Sequence, residues 1–283
     1  MRLCVSSSRS GRQARAWKEF LVQNKGVNRP TLARERIMVG VPVAAATAML
    51  LVAMAAHPQS PAYLGFLFSA RDRSAAMRAP GHGLSGFIAR KLMQKANEQT
   101  SVHIVQNALG VRKGQTVVEL GPGSGYGLRP ILGALGPGGR AVAIEISPSF
   151  QEELAESFDE DLQSGRLEIH GDDAALHMRQ KMSDASVDGI LGSNVVYFLN
   201  PLDEYLAQFY RVLKPGGILV FGVKNMVKKQ GDPSIFVNVD WNKCVQAMER
   251  AGFEAEEHSL QLEGLAQYIP LVGIKRGHRE EEL

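Results

Sequence analysis

Short apolar runs alternate with amphipathic stretches along most of the chain after residue 110. The apolar runs predict strands at 116–120, 140–146, 167–170, 187–192, 218–223, 254–258 and 268–275. Helices are predicted between several of these strands, at 128–135, 148–159, 202–213 and 237–251, with Ser147 as the N-cap of the second. This alternation is typical of an α/β fold. We expect a doubly wound, mainly parallel seven-stranded sheet with helices on both faces.

The stretch 84–109, which precedes the first strand, is amphipathic. Its apolar residues, among them Phe87, Leu92 and Ile104, mostly lie three or four positions apart, so two helices are predicted here. Gly110 is expected to cap the second of them, directly before the first strand.

A different kind of sequence occupies the first 80 residues. The segment 37–56 has no charge over 20 residues, the length that a helix needs to cross a bilayer, and Arg34 and Arg36 precede it. A membrane anchor is one interpretation. A cleaved mitochondrial or secretory targeting segment is another, because residues 1–18 are rich in Arg and Ser and contain no acid, and a buried helix is the third. The protein is therefore expected to be membrane-anchored, or mitochondrial after cleavage.

These features divide the chain into four parts. We expect a basic, disordered arm at 1–36, a candidate transmembrane or targeting helix at 37–56, a linker at 57–80 and one catalytic domain at 81–283. The linker carries an aromatic patch (Tyr63, Phe66, Phe68), which is typical of a segment at a membrane surface and equally of a lid over a pocket.

Charge and cysteine content narrow the function. Residues 1–36 contain nine Lys or Arg and two Glu, a net +7, so the remaining 247 residues carry −4 of the total +3. A body that bound DNA or RNA would be basic, so nucleic acid is not expected as a partner. The two cysteines, Cys4 and Cys244, lie at opposite ends of the chain and show no metal-binding spacing, so no structural metal is expected.

The most informative stretch is the first predicted strand and the turn that follows it. Glycines stand at every second position of this turn, at 121, 123, 125 and 127, and the next strand ends on the single acid Glu145. A glycine-rich turn and an acid at the tip of the next strand are how a doubly wound sheet holds an adenosine-containing cofactor. The nicotinamide fingerprint Gly-x-Gly-x-x-Gly is broken, because Tyr126 stands where the third glycine should fall, and no Gly-Lys-Ser/Thr follows.

Five motifs in order resemble those of the class I S-adenosyl-L-methionine-dependent methyltransferases, in an uncharacterised, methyltransferase type 11-like branch. The resemblance covers roughly residues 85–275. Its motifs are the glycine turn 119–125, the strand tip 144–146, the acidic turn 171–174, the fourth strand 187–191 and the turn 211–217. The lead-in from 81 to 97, with Met93 and Asn97, also resembles this branch, in which the lead-in helices roof the active site.

The resemblance implies S-adenosylmethionine as cofactor and assigns its binding residues. Glycines at 121, 123 and 125 let the backbone approach the cofactor. Glu145 is expected to accept hydrogen bonds from the ribose hydroxyls, and Glu119 to face the ammonium end. Asp172 or Asp173 is expected to accept from the adenine amino group, and the family pattern favours Asp173.

The acceptor half of the reaction is less visible. Asn194 and Tyr197 follow the fourth strand, where the acceptor lies in such a fold, and are candidates for orienting it; Tyr197 can equally be a packing residue. No catalytic base stands out. The function expected is methyl transfer to a small acceptor, hydrophobic or membrane-associated if the anchor is retained. Two alternatives stay open: a non-catalytic S-adenosylmethionine-binding module, and an NAD-dependent oxidoreductase.

Overall fold

Seven strands make up one sheet in the computed structural model, which describes residues 66, 68–224, 231–257 and 268–276. The strands are β1 Thr116–Leu120, β2 Arg140–Ile144, β3 Leu167–His170, β4 Val187–Ser193, β5 Leu213–Lys224, β6 Phe253–Glu257 and β7 Tyr268–Lys275. Their order across the sheet is β3-β2-β1-β4-β5-β7-β6. Strands β1 to β5 are parallel to one another, and β7 is antiparallel to both β5 and β6. The predicted mainly parallel, seven-stranded sheet is confirmed.

Helices cover both faces of this sheet. In the described ranges they are α1 Ala70–Arg78, α2 Leu84–Ile104, α3 Leu128–Leu135, α4 Pro148–Ser157, α5 Asp159–Gln163, α6 Ala174–Lys181, α7 Leu202–Val212 and α8 Trp241–Arg250. A π-helical turn, Val105–Leu109, extends α2, and a 3₁₀ turn, Val196–Phe198, follows β4. Ser147 caps α4 by accepting from the Phe150 N–H, as predicted.

Alternate residues of each strand serve two separate hydrophobic cores. Val118 and Leu120 of β1 belong to the core that packs against α6, α7 and α8. Val117 belongs to the opposite core, formed with α3, α4 and the end of α2. Glu119 lies two positions from Val117 and therefore points to the face that α3 covers. A carboxyl group is thus carried on the buried side of the central strand.

The lead-in differs from the prediction, because α2 is one continuous helix of 21 residues instead of two. No glycine or proline interrupts the chain between Gly86 and Gly110, so nothing forces a break. Thr100 and Ser101 continue the inward face of the helix and are 3% and 5% exposed. Gly110 ends the segment with φ of +61°, as expected of a helix cap.

Part of the interval predicted as a linker is helical. In α1 the side chain of Ser69 accepts from the Asp72 N–H at the N-cap. Ser74 is 2% exposed, and its Oγ accepts from the Asp232 N–H at 2.9 Å. The helix is therefore docked on the loop that precedes α8, and it brings Met77 and Arg78 to the edge of a cavity.

The predicted arm at 1–36 and the apolar segment at 37–56 lie outside the described residues, as does most of 57–67. Within the described part of the chain, no helix combines the length and the apolar character that a membrane span requires.

Candidate functional site

The site lies where the strand order reverses between β1 and β4, at the carboxyl ends of the parallel strands. A doubly wound sheet binds its ligands in the crevice that forms at this point. The cavity here holds about 1060 Å³ of empty space, its open mouth included.

The glycine turn after β1 forms the floor of the cavity. Gly121, Gly123 and Gly125 have φ of +56°, +57° and +76°, the left-handed region that favours glycine. At Gly125 a Cβ would also lie 2.4 Å from the Phe158 ring, so the turn packs on α4 without space for a side chain. Of the three predicted glycines, Gly121 and Gly123 line the cavity, whereas Gly125 does not.

Glu119 is a buried carboxyl group at the tip of β1, with 2% of its surface exposed. Its Oε2 has no hydrogen-bond partner among the described residues. Burial raises its pKa to about 8, and the nearby charge of Glu145 adds to the effect. A Cβ at Gly127 would lie 2.1 Å from Oε1 of Glu119, so the carboxyl occupies space that only glycine leaves free. This orphaned acid fits a cationic group that enters the cavity from outside the chain.

Glu145 directly follows β2 and is 4% exposed. Its Oε2 accepts from the Gly123 N–H at 3.0 Å, and its Oε1 accepts from the Ser147 N–H at 2.8 Å. Burial raises its pKa, and these two hydrogen bonds oppose the rise. Because a carboxylate offers about four lone-pair positions, roughly two remain for a ligand that presents a pair of hydroxyls.

The two aspartates of the acidic turn have different surroundings. Asp173 lines the cavity and caps α6, a helix that the sequence pattern did not predict. Oδ1 of Asp173 accepts from the Ala175 and Leu176 N–H groups. Its Oδ2 accepts from the Tyr205 hydroxyl, which leaves about one of its four lone-pair positions for a ligand. Asp172 is more than half exposed and contacts His177 Nδ1 at 3.2 Å.

The candidates on the acceptor side are also placed differently. Asn194 lines the cavity in a left-handed conformation, with φ of +57°. Tyr197 is 1% exposed, packs against Phe236 and Trp241, and does not line the cavity. Its hydroxyl donates to Asn194 Oδ1 at 3.1 Å. Tyr197 therefore supports Asn194 from behind.

The roof of the cavity is α2, tied to the floor by hydrogen bonds. Gln94 Nε2 donates to Ser124 Oγ at 2.8 Å and to Glu153 Oε1 at 2.9 Å. The hydroxyls of Ser147 and Ser149 both donate to the carbonyl of Pro80, each at 2.6 Å. The predicted lead-in residues Met93 and Asn97 line the cavity.

Sequence reasoning missed three polar residues at or beside the site. Tyr205 reaches Asp173 from α7, and Arg78 reaches the cavity from α1. Lys224 ends β5, is 7% exposed, and donates from Nζ to Asn97 Oδ1 at 2.9 Å; burial lowers its pKa. The strand prediction ended at Val223, and a lysine after a strand is usually exposed, so nothing local marked it.

Comparison with known proteins agrees with this geometry. Residues 118–219 match a family model described as a methyltransferase domain. The "Uncharacterized 37.1 kDa protein in transposon TN4556" of Streptomyces fradiae is 32% identical over 119 residues, which are 42% of this chain and 33% of that protein. The chain thus spans about a third of the length of this relative.

Solved structures share the fold. A chain of the Haloferax volcanii complex between the Trm112 methyltransferase activator and a methyltransferase matches with a TM-score of 0.55 and 22% identity, over 68% of this chain and 95% of that chain. A SAM dependent methyltransferase from Aquifex aeolicus matches with a TM-score of 0.53 and 19% identity, over 65% and 96%. At these identities the likeness concerns the fold.

Proposed function

We propose that the chain is a class I S-adenosylmethionine-dependent methyltransferase, which transfers a methyl group to a small acceptor bound between α2 and the loop after β4. A methyltransferase-domain match over residues 118–219 and the fold of solved methyltransferases support this proposal. The observation that carries this proposal is Glu119, a buried carboxyl with one unpartnered oxygen in the cavity beside the glycine turn. Leaving such a group unpaired is costly, and a ligand that brings a cation removes the cost.

The residues present fit S-adenosylmethionine. Glu119 would hold its ammonium group, and the free lone pairs of Glu145 would accept from the two ribose hydroxyls. Asp173 has one lone-pair position left for the adenine amino group, whereas Asp172 does not line the cavity. The backbone at Gly121 and Gly123 leaves the approach open, because neither residue carries a side chain.

When bound, S-adenosylmethionine supplies a methyl group that is already activated for displacement. The chain therefore has to hold the acceptor in line with that group, and alignment of this kind contributes ~7–11 kcal/mol to a reaction between two bound molecules. A general base is needed only for an acceptor that carries a proton at working pH. On the acceptor side of the cavity, Met93, Asn97, Ser101, Ser193 and Asn194 supply no carboxylate and no imidazole.

The acceptor is proposed to be hydrophobic or membrane-associated. Support comes from exposed apolar side chains on the outer face of α2, where Leu84, Phe87 and Leu92 are each about half exposed, and from Phe68 just before α1. A membrane-anchored or mitochondrial location of the protein belongs to the same proposal. If label from methyl-labelled S-adenosylmethionine enters polar extracts and leaves lipid extracts unlabelled, this part of the proposal is wrong.

Calorimetric titration with S-adenosylmethionine tests the function itself, with Glu145→Ala as the variant that removes the ribose contact. We expect binding by the wild type and weakened binding by Glu145→Ala, followed by methylated product in a cell extract. Binding without any product would favour the non-catalytic binding module. Affinity for NAD in place of S-adenosylmethionine would favour an oxidoreductase and would overturn the proposal.

A further inference from the structure

A buried chain of hydrogen bonds behind the cavity ends at Asn97, on the inner face of α2. The Lys224 backbone N–H donates to Tyr197 Oη at 2.8 Å, and Tyr197 donates to Asn194 Oδ1 at 3.1 Å. Asn194 Nδ2 in turn donates to Asn97 Oδ1 at 3.2 Å. Lys224 Nζ donates to the same Asn97 oxygen at 2.9 Å. Lys224 therefore supplies two donors to the network, its backbone N–H and its side chain.

The direction of every bond in this chain is fixed by groups that can only donate. The backbone N–H of Lys224 can only donate, so the Tyr197 oxygen accepts from it. The hydroxyl proton of Tyr197 is then donated to Asn194. A lysine ammonium has no lone pair, so the atom of Asn97 that faces it has to be the oxygen. This settles the orientation of the Asn97 amide, which distance alone leaves ambiguous.

The side-chain oxygen of Asn97 accepts both of these hydrogen bonds, so its Nδ2 group points away from the hydrogen-bond network. This nitrogen has no hydrogen-bond partner among the described residues, and it is not one of their buried atoms that lack a partner. The nitrogen is therefore not fully enclosed by the described residues, and Asn97 is one of the residues that line the cavity. The cation of Lys224 behind the oxygen also polarises the amide and strengthens its N–H groups as donors.

We propose that the Asn97 Nδ2–H group binds an oxygen atom of the methyl acceptor, which therefore carries a carboxylate or carbonyl oxygen beside its nucleophilic atom. This inference rests on the proposed function. Lys224, Asn194 and Tyr197 act as positioning residues that hold the amide in one orientation. Their action selects for an oxygen with lone pairs and against a group that presents only N–H donors.

Arg78 also lines the cavity and can only donate, so it favours the same kind of ligand atom as the amide. The hydroxyls of Ser101 and Ser193 lie 3.4 Å apart, and each can donate or accept as its partner requires. Three carboxyls line the cavity, Glu119, Glu145 and Asp173, and the proposed function assigns them to the cofactor. An ammonium acceptor would thus find a fixed N–H donor at Asn97, and no fixed acceptor in its place.

Nuclear magnetic resonance of the full chain, labelled with isotopic asparagine, tests this directly. The protein is saturated with S-adenosylhomocysteine and titrated with acetate, acetone and methylammonium as probes for carboxylate, carbonyl and amine. Acetate is expected to shift the Asn97 side-chain signals the most, acetone less, and methylammonium not at all. The Asn107 signals serve as the internal control, because that side chain is exposed and donates to the His103 carbonyl. Asn97 signals that acetate leaves in place, or that methylammonium shifts equally, would overturn the inference.

Variants separate positioning from folding. Asn97→Asp keeps an oxygen for Lys224 and Asn194 and presents a second oxygen where the N–H group was, so it should lose acetate binding and gain methylammonium binding. Asn107→Asp makes the same chemical change outside the cavity and should alter neither. Lys224→Met should weaken acetate binding roughly ten- to a hundredfold, the range for a lost hydrogen bond to a charged group, and Lys224→Arg should restore part of it.

Two further measurements keep the failures distinguishable. Unchanged S-adenosylhomocysteine affinity in each variant shows that the fold is intact, and Tyr197→Phe replaces Lys224→Met if the latter does not fold. If the wild type binds no S-adenosylhomocysteine, the proposed function is wrong, and the acetate titration of the ligand-free chain still tests Asn97. If Lys224→Met binds acetate as the wild type does, the positioning role is wrong.

Discussion

Glu119→Gln is the substitution that examines the site most directly, because it replaces a buried, unpartnered carboxyl by a neutral group of the same shape. In the ligand-free protein the pKa of Glu119 is about 8, against 4.5 for an exposed glutamate. Between these two values the folded chain holds a proton that the unfolded chain has released. Stability therefore falls as the pH rises from about 4.5 to about 8 and is level above it.

The size of this effect follows from the shift. A difference of 3.5 pKa units corresponds to at most about 5 kcal/mol, at roughly 1.36 kcal/mol per unit. Glu119→Gln cannot ionise, so this fall in the free energy of unfolding should be absent. Glu145 lies nearby and also has a raised pKa, so the variant should keep the part of the slope that belongs to Glu145.

The affinity for the cofactor should change with pH in the opposite direction to the stability of the ligand-free protein. A bound ammonium favours the ionised carboxyl, so the wild type should release close to one proton on binding at pH 7, where about nine tenths of a group with a pKa of 8 is protonated. Affinity of the wild type for S-adenosylmethionine should rise by up to about tenfold per pH unit between pH 6 and 8. Glu119→Gln should bind about ten- to a hundredfold more weakly at pH 8, without that rise.

Urea unfolding of the ligand-free protein at several pH values measures the first effect, and calorimetry in two buffers of different ionisation enthalpy counts the protons released. Glu160→Gln, on the exposed helix α5, is the control and should follow the wild type in both. Parallel stability profiles for the wild type and Glu119→Gln would refute the assignment of a raised pKa. Binding without proton release at pH 7 would refute the role of Glu119 toward the ammonium group.

Three other substitutions probe the parts around this carboxyl. Gly127→Ala should weaken S-adenosylmethionine binding at least about tenfold, as measured by calorimetry, because its Cβ would lie 2.1 Å from Glu119 Oε1. Gly133→Ala in α3 is the control: its Cβ would have no atom within 4 Å, so this variant should bind normally and unfold at a slightly higher urea concentration. Tyr205→Phe should lower the free energy of unfolding by about 1.5–3 kcal/mol, since the Asp173 carboxylate loses a donor. Tyr210→Phe should change it little, because the Tyr210 hydroxyl has no such partner in the described residues. Equal losses of stability in the two variants would contradict this. The double variant Ser147→Ala and Ser149→Ala should speed hydrogen exchange between α1 and α2, because both hydroxyls hold the Pro80 carbonyl, and unchanged exchange there would show that other contacts fix the roof.

Most of the sheet was predictable, because its parallel strands are buried on both faces and read as short apolar runs between glycine and proline turns. The bounds predicted for β1, β3 and β7 agree with the structure, and so do those of α3. Helix α6 escaped notice for a physical reason. Its eight residues have little amphipathic character, and Asp173, which caps it, was interpreted only as a ligand of the cofactor.

The residues on the proposed cofactor side of the cavity are close in sequence, whereas those on the proposed acceptor side are far apart in sequence. Glu119, the glycine turn and Glu145 all lie within one strand–helix–strand unit, so a local pattern reveals them. The contact between Asn97 and Lys224 joins residues 127 positions apart, and that between Asn97 and Asn194 joins residues 97 positions apart. No short pattern can show that a lysine at the end of β5 is buried under a helix that precedes β1.

This separation has a consequence for how the two halves vary with sequence. The donor side depends on backbone conformation and on two carboxyls at strand tips, which the sheet itself positions. The proposed acceptor side depends on the side chains on the inner face of α2. Gln94 of α2 donates to Ser124 and Glu153, and Ser147 donates to the carbonyl of Pro80 just before the helix. We therefore expect substitutions on the inner face of α2 to change which acceptor binds and to leave S-adenosylmethionine binding intact. Asn97→Asp is the smallest such change, since it replaces one side-chain nitrogen of a cavity-lining residue and leaves Glu119 and Glu145 untouched.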